Sequence, residues 1–182
     1  LLWAGDEITF IVPARIGWLV TMALIDVLES DVARIAGPEH GPLNAAIGLI
    51  FCHHDAPIAR IRALADNLCV HAKSVDRKRN LVFPLTMESF DHIGRGIEDY
   101  LVKRAPQLPL SKAQREEFFL IDRQKMKELQ EQAIKWTVPS DEISRRQIRM
   151  NAYSSHRGLG DISLEARKDA MLIEEYWDYL VP

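Results

Sequence analysis

An α+β architecture is what this 182-residue sequence predicts, and two observations predict it. Through residue 87 the apolar residues fall in short runs between turn signals, the pattern of buried strands interleaved with helices. From residue 88 onward the strand pattern stops and apolar positions recur at helical spacing. The change divides the chain into a strand-containing domain, residues 1–87, and an α-helical domain, residues 88–182.

The first element is a hairpin. Gly5-Asp6 has the Gly-first order of a two-residue turn, and Ile8, Phe10 and Val12 alternate with Thr9 and Ile11 in a run apolar enough for a strand buried on both faces. Pro13 ends that strand. Residues 14–30 then read as a helix whose core stripe is Ile16, Leu19, Val20, Ala23, Leu24, Val27 and Leu28. Residues 31–42, with Gly37, Pro38, Gly41 and Pro42, form a loop.

Residues 43–53 read as a second core strand, in which Gly48 permits close approach of a neighbouring backbone. Asp55 is placed to cap a helix with Pro57 in its first turn. The stripe of that helix is Ile58, Ile61, Leu64, Ala65, Leu68 and Ala72, and it ends near Lys73. Residues 80–87 form a further strand, in which Pro84 belongs at an edge or bulge. The helical part follows as residues 89–103, 111–136, 140–153 and 163–180, with Ser111 and Gln114 spaced as a capping box and Ser140 as another N-cap.

Composition is that of a globular protein, with 47% hydrophobic and 27% charged residues. A net charge of −3 argues against a broad nucleic-acid surface, although the basic stretches 73–79 and 145–149 are local phosphate-binding candidates. The only cysteines, Cys52 and Cys69, lie in apolar segments and read as free thiols of a reducing, cytoplasmic compartment. The apolar stretch 16–28 is interrupted by Thr21 and Asp26 and is too short to span a bilayer, so no membrane partner is expected. The chain opens almost inside a strand, which is the expectation for a fragment.

Ala4-Gly5-Asp6-Glu7-Ile8, Ala46-Ile47-Gly48, Ala65-Asp66, Ala72-Lys73 and Arg79-Asn80 occur in the order and spacing of one catalytic family. The first half resembles the palm shared by GGDEF nucleotidyl cyclases and the polymerase-cyclase palm of the large subunit of type III CRISPR effector complexes. Cys52-His53-His54-Asp55-Ala56-Pro57-Ile58 and residues 88–94 look more like the CRISPR group. The resemblance implies a ferredoxin-like palm, an antiparallel sheet with helices on one face, here without its first strand and helix.

It also implies a chemistry. A 3′-hydroxyl attacks the α-phosphate of ATP or GTP, and hard cations, Mg²⁺ or Mn²⁺, held by carboxylates activate the nucleophile and stabilise the leaving pyrophosphate. By resemblance, Asp6 and Glu7 are the catalytic and metal-binding acids. Gly5 admits the nucleotide, and Lys73 and Arg79 bind its phosphates. The partners it allows are a nucleoside triphosphate, a homodimer or effector-complex subunits, and RNA. Ala4 stands where the family has its first glycine and Ala46 where it has serine, and the family's other metal-binding Asp lies on a strand that precedes this hairpin.

Zinc is disfavoured by spacing. Strand alternation separates His53 from Cys52 and His54, and Cys69 and His71 are two apart on a helix. His92 and His156 have no evident partners, and Arg145, Arg146 and Arg149 share their helix with Asp141 and Glu142, as on a solvated face. Three functions stay open: a nucleotidyltransferase making cyclic or linked nucleotides, in the setting of CRISPR-associated antiviral signalling; a degenerate palm that senses nucleotide; and a structural subunit of an RNA-associated assembly.

Overall fold

The computed structural model describes residues 2–4, 7–32, 43–87, 110–136 and 164–181. Within them the fold mixes helix and strand, and the chain divides into two compact units, Leu1–Arg123 and Gln124–Pro182. The expected helices at 89–103 and 140–153, the cap at Ser140, the 88–94 passage, Arg145, Arg146, Arg149, His92 and His156 lie outside the described residues, as do Gly5 and Asp6.

The first unit opens with strands β1 (Leu2–Ala4) and β2 (Glu7–Thr9), paired antiparallel. Helix α1 (Ala14–Val27) runs into a π-helical turn (Leu28–Val32), and β3 (Ala46–Phe51), α2 (Ile58–Val75) and β4 (Leu81–Thr86) follow. β3 and β4 pair in parallel, Ala46 opposite Leu81 through Phe51 opposite Thr86. This departs from the expected antiparallel sheet. The long α2 connection carries the chain back to the starting end of β3, and such a crossover joins parallel strands.

The parallel pair is covered on both faces. Gly17 of α1 lies against Leu49 and Phe51 of β3, whereas Gly48, which points the other way, lies against Ala65 and Leu68 of α2. That is why Leu81, Val82, Phe83 and Leu85 form a continuous buried run. Leu81 and Met87 donate their N–H groups to Ala45 and Phe51 on the β3 side, while Val82 exchanges both backbone bonds with Ile121 on the other side. Pro84 has the register of Val82, so its missing N–H faces away from β3, at the edge where a strand proline is tolerated.

Several expectations change. The buried face of α1 is Gly17, Trp18, Thr21, Met22 and Ile25, one residue on from the apolar stripe, and Leu19 and Val27 are exposed. Size complementarity decides this: Gly17 makes room for the Phe51 ring beside the wholly buried Trp18. The strand after the turn is not buried on both faces, since Glu7 and Ile8 are exposed and, among the described residues, the hairpin pairs only with itself.

The helix expected over residues 111–136 is two: α3 (Lys112–Phe118) and α4 (Arg123–Trp136). Phe118, Phe119, Leu120 and Ile121 are all buried, which one helical stripe cannot achieve for four consecutive residues, and the chain extends at Ile121 to meet Val82. Ser111 and Gln114 form the expected capping box at the start of α3. Asp55 does not cap α2. The N-cap is Pro57, two residues later, and the Asp55 carboxylate accepts a 2.7 Å bond from His53 Nδ1 instead. β3 ends at Phe51, so strand alternation does not reach the histidines, and the His53 and His54 rings lie 4.3 Å apart.

In the second unit, Met126, Leu129 and Ala133 of α4 and Leu172, Ile173, Tyr176, Trp177 and Leu180 of α5 (Leu164–Leu180) are buried at helical spacing. Lys125 Nζ of α4 meets Asp169 of α5 at 2.8 Å, with both side chains largely out of solvent.

Candidate functional site

The hairpin delivers the first acid. Ala4 pairs with Glu7 and Leu2 with Thr9, in the antiparallel register of a hairpin whose residues 5 and 6 lie outside the described residues. Glu7 heads β2 with its side chain exposed.

The second contributor is the face of α2 carrying Asp66, Cys69 and Lys73, three and four residues apart and therefore neighbours on the helix surface. Gly48 brings this face unusually close to β3. A Cβ on Gly48 would stand 2.5 Å from the Ala65 carbonyl oxygen, and the Gly48 N–H reaches Cys69 Sγ at 3.1 Å. Burial pushes the Cys69 thiol up; the Gly48 N–H and the Lys73 charge oppose that shift, and the Asp66 and Glu7 charges add to it. The thiol is therefore neutral at neutral pH and is a packed group, not a nucleophile.

Lys73 occupies the last turn of α2, exposed, where the negative end of the helix dipole favours a cation. Arg79 is engaged differently. Asp76 accepts the Lys78 N–H on one oxygen (2.7 Å) and Arg79 Nε on the other (2.9 Å), and Arg79 Nη2 donates to Glu117 of α3 at 3.1 Å. The Lys78 N–H and then Arg79 hold the Asp76 carboxyl below its usual range, while Asp76 and Glu117 raise Arg79 further. Asn80, beside it, is buried; its Oδ1 accepts the Ala45 N–H (2.7 Å) and its amide donates to Glu29 (2.9 Å), tying the start of β3 to the π-helical turn.

Sequence reasoning overlooked Glu117 and the part played by Cys69. Cys69 was legible as a packed thiol, but its bond from the Gly48 N–H depends on how α2 docks on β3. Glu117 lies 38 residues from Arg79, on a helix whose docking no local pattern specifies. His71 points elsewhere: its Nε2 bonds the Glu116 carbonyl at 2.9 Å and its ring meets Phe83 edge-on.

A hard cation takes oxygen ligands, and Mg²⁺ keeps several waters, so one or two carboxylates suffice to hold it. Glu7 is such a donor. Among the described residues no group of three or more His, Cys, Asp or Glu side chains is poised around one metal position, and Asp6 lies outside them. No helix among the described residues is long and apolar enough to cross a membrane. Comparison with protein-family models, curated proteins and solved structures finds no match to this chain.

Proposed function

We propose that residues 1–87 are the catalytic-hairpin half of a ferredoxin-like palm, and that the chain is a metal-dependent nucleotidyltransferase forming cyclic or linked nucleotides from ATP or GTP. What supports this reading is the placement of an acid suited to a hard cation, Glu7, at the head of β2, and of a cation suited to phosphate, Lys73, in the last turn of α2. The order hairpin, helix, strand, helix, strand also suits a palm.

In this reading Asp6 and Glu7 would hold Mg²⁺ or Mn²⁺, which when bound would supply positive charge for the departing pyrophosphate. Gly5 lets the triphosphate approach the hairpin backbone, Lys73 neutralises a phosphate as a point charge, and Arg79 is the second phosphate-binding cation that the resemblance implies. A homodimer, effector-complex subunits and RNA are the partners to test alongside nucleotide.

The deciding experiment follows pyrophosphate release and product mass with ATP and with GTP, in Mg²⁺, in Mn²⁺ and in chelator. Metal-dependent release with a new cyclic or linked product is expected, and Asp6→Asn should abolish it. Equal turnover in that variant would overturn the site.

Two features favour a second reading, a palm that binds nucleotide without turnover: Ala4 in place of the family's first glycine, and the two carboxylates already on Arg79. Saturable, metal-dependent nucleotide binding without pyrophosphate release would select it.

A further inference from the structure

Arg79 sits between acids from two elements. Asp76 belongs to the turn that leads into β4, and Glu117 belongs to the last turn of α3. One guanidinium against two carboxylates leaves the trio net negative, so in this arrangement the charge and two donors of Arg79 are taken up by groups that compete with a phosphate it is otherwise well shaped to bind. The two acids are not equivalent. Asp76 is built into its turn by the Lys78 N–H, whereas the Glu117 carboxylate, more than half exposed, meets Arg79 alone among the described residues. A carboxylate in the last turn of a helix is also unfavourably placed in the helix dipole, which leaves Glu117 reliant on Arg79 for compensation.

We propose that Glu117 is a built-in competitor for phosphate at Arg79, so that α3 gates the polyphosphate end of the nucleotide site by occupying its guanidinium. This rests on the nucleotide-binding reading given above. Phosphate takes the Nη2 donor that Glu117 holds, Glu117 swings into solvent, and the Asp76 bond to Nε stays in place to orient the fork. The exchange is inexpensive because an exposed ion pair is weak, and removing Glu117 should tighten binding by about two- to five-fold.

The test is equilibrium binding of tripolyphosphate and of ATP with Mg²⁺ to the full chain and to E117Q, E117A, R79Q and the R79Q/E117Q double variant. Both Glu117 variants should bind more tightly, R79Q more weakly, and the Glu117 gain should vanish in the R79Q background. Unchanged affinity in E117Q and E117A, or a gain that survives in R79Q/E117Q, overturns the competitor role while leaving the nucleotide site standing. Absence of binding by every form overturns the nucleotide reading itself and the gate with it.

Discussion

Gly48 of β3 and Ala65 of α2 approach so closely that a methyl group on Gly48 would stand 2.5 Å from the Ala65 carbonyl oxygen. The obstacle is backbone, which cannot swing aside as a flexible side chain does. Gly48→Ala must therefore push α2 away from the sheet, at a cost of about 1–3 kcal/mol. Denaturant unfolding of the variant should report that loss, and the same displacement should free the Cys69 thiol from the Gly48 N–H and speed its labelling by a thiol reagent.

In the native protein both thiols should label slowly at neutral pH. Burial pushes Cys52 and Cys69 above the ordinary thiol range, so little thiolate is present, and Cys69 is further hidden by α2 packing. Mass-resolved alkylation with and without denaturant measures this directly; labelling of Cys69 at the unfolded rate in the native protein would contradict the packing.

Asn80 joins two segments through one buried amide. Asn80→Ala leaves the Ala45 N–H without its side-chain acceptor and should cost about 1–3 kcal/mol. Asn80→Asp keeps the acceptor but sets a carboxylate against Glu29, so it should be destabilising at neutral pH and partly recover as the medium is acidified. Thermal melts of the two variants across pH separate the contributions.

Asp26 and Arg123 form a two-point ion pair, Nε to Oδ1 at 2.7 Å and Nη2 to Oδ2 at 2.9 Å, across α1 and the first residue of α4. The Arg123 hydrogen bond holds the Asp26 carboxyl below its ordinary value of 3.8. A depressed folded pKa means that the stabilisation is fully present above that ordinary value and is lost as pH falls through the lower, folded value. With Asp26 half exposed, solvent screening limits the contribution to about 1 kcal/mol or less. The stability gap between the native protein and Asp26→Asn should be constant near neutrality and should close in strong acid.

Lys73→Ala should raise the apparent KM for nucleoside triphosphate more than it lowers kcat, because a point charge on phosphate contributes to ground-state and transition-state binding alike. Its exposed position predicts a change in folding stability within about 0.5 kcal/mol. Steady-state kinetics with a parallel melt checks both.

What the sequence made legible is local chemistry. The antiparallel pairing of the strands on either side of residues 5 and 6, the Ser111 and Gln114 capping box and the close backbone approach at Gly48 each follow from a few adjacent residues, and each is present in the structure. What it hid depends on partners distant along the chain. The face of α1 turned because Gly17 and Trp18 answer to Phe51. The expected long helix broke because Ile121 finds Val82, and Arg79 became engaged because α3 presents Glu117. Of the candidate site, residue types and order were readable; the bond from the Gly48 N–H to Cys69 Sγ was not, since hydropathy does not say which side chain a helix turns toward a strand.

Pro84 bears on how the molecule behaves in a crowd. Among the described strands, none pairs with the outer side of β4, and such margins are where foreign extended segments zip and seed insoluble aggregates. Ile121 closes one rung of it, and the next outward-facing residue, Pro84, withholds the donor that a second rung needs. The most buried of the described strands thus carries its own safeguard against templated misassembly, and Pro84→Val, which strengthens the strand by propensity, should make concentrated solutions more prone to fibril formation.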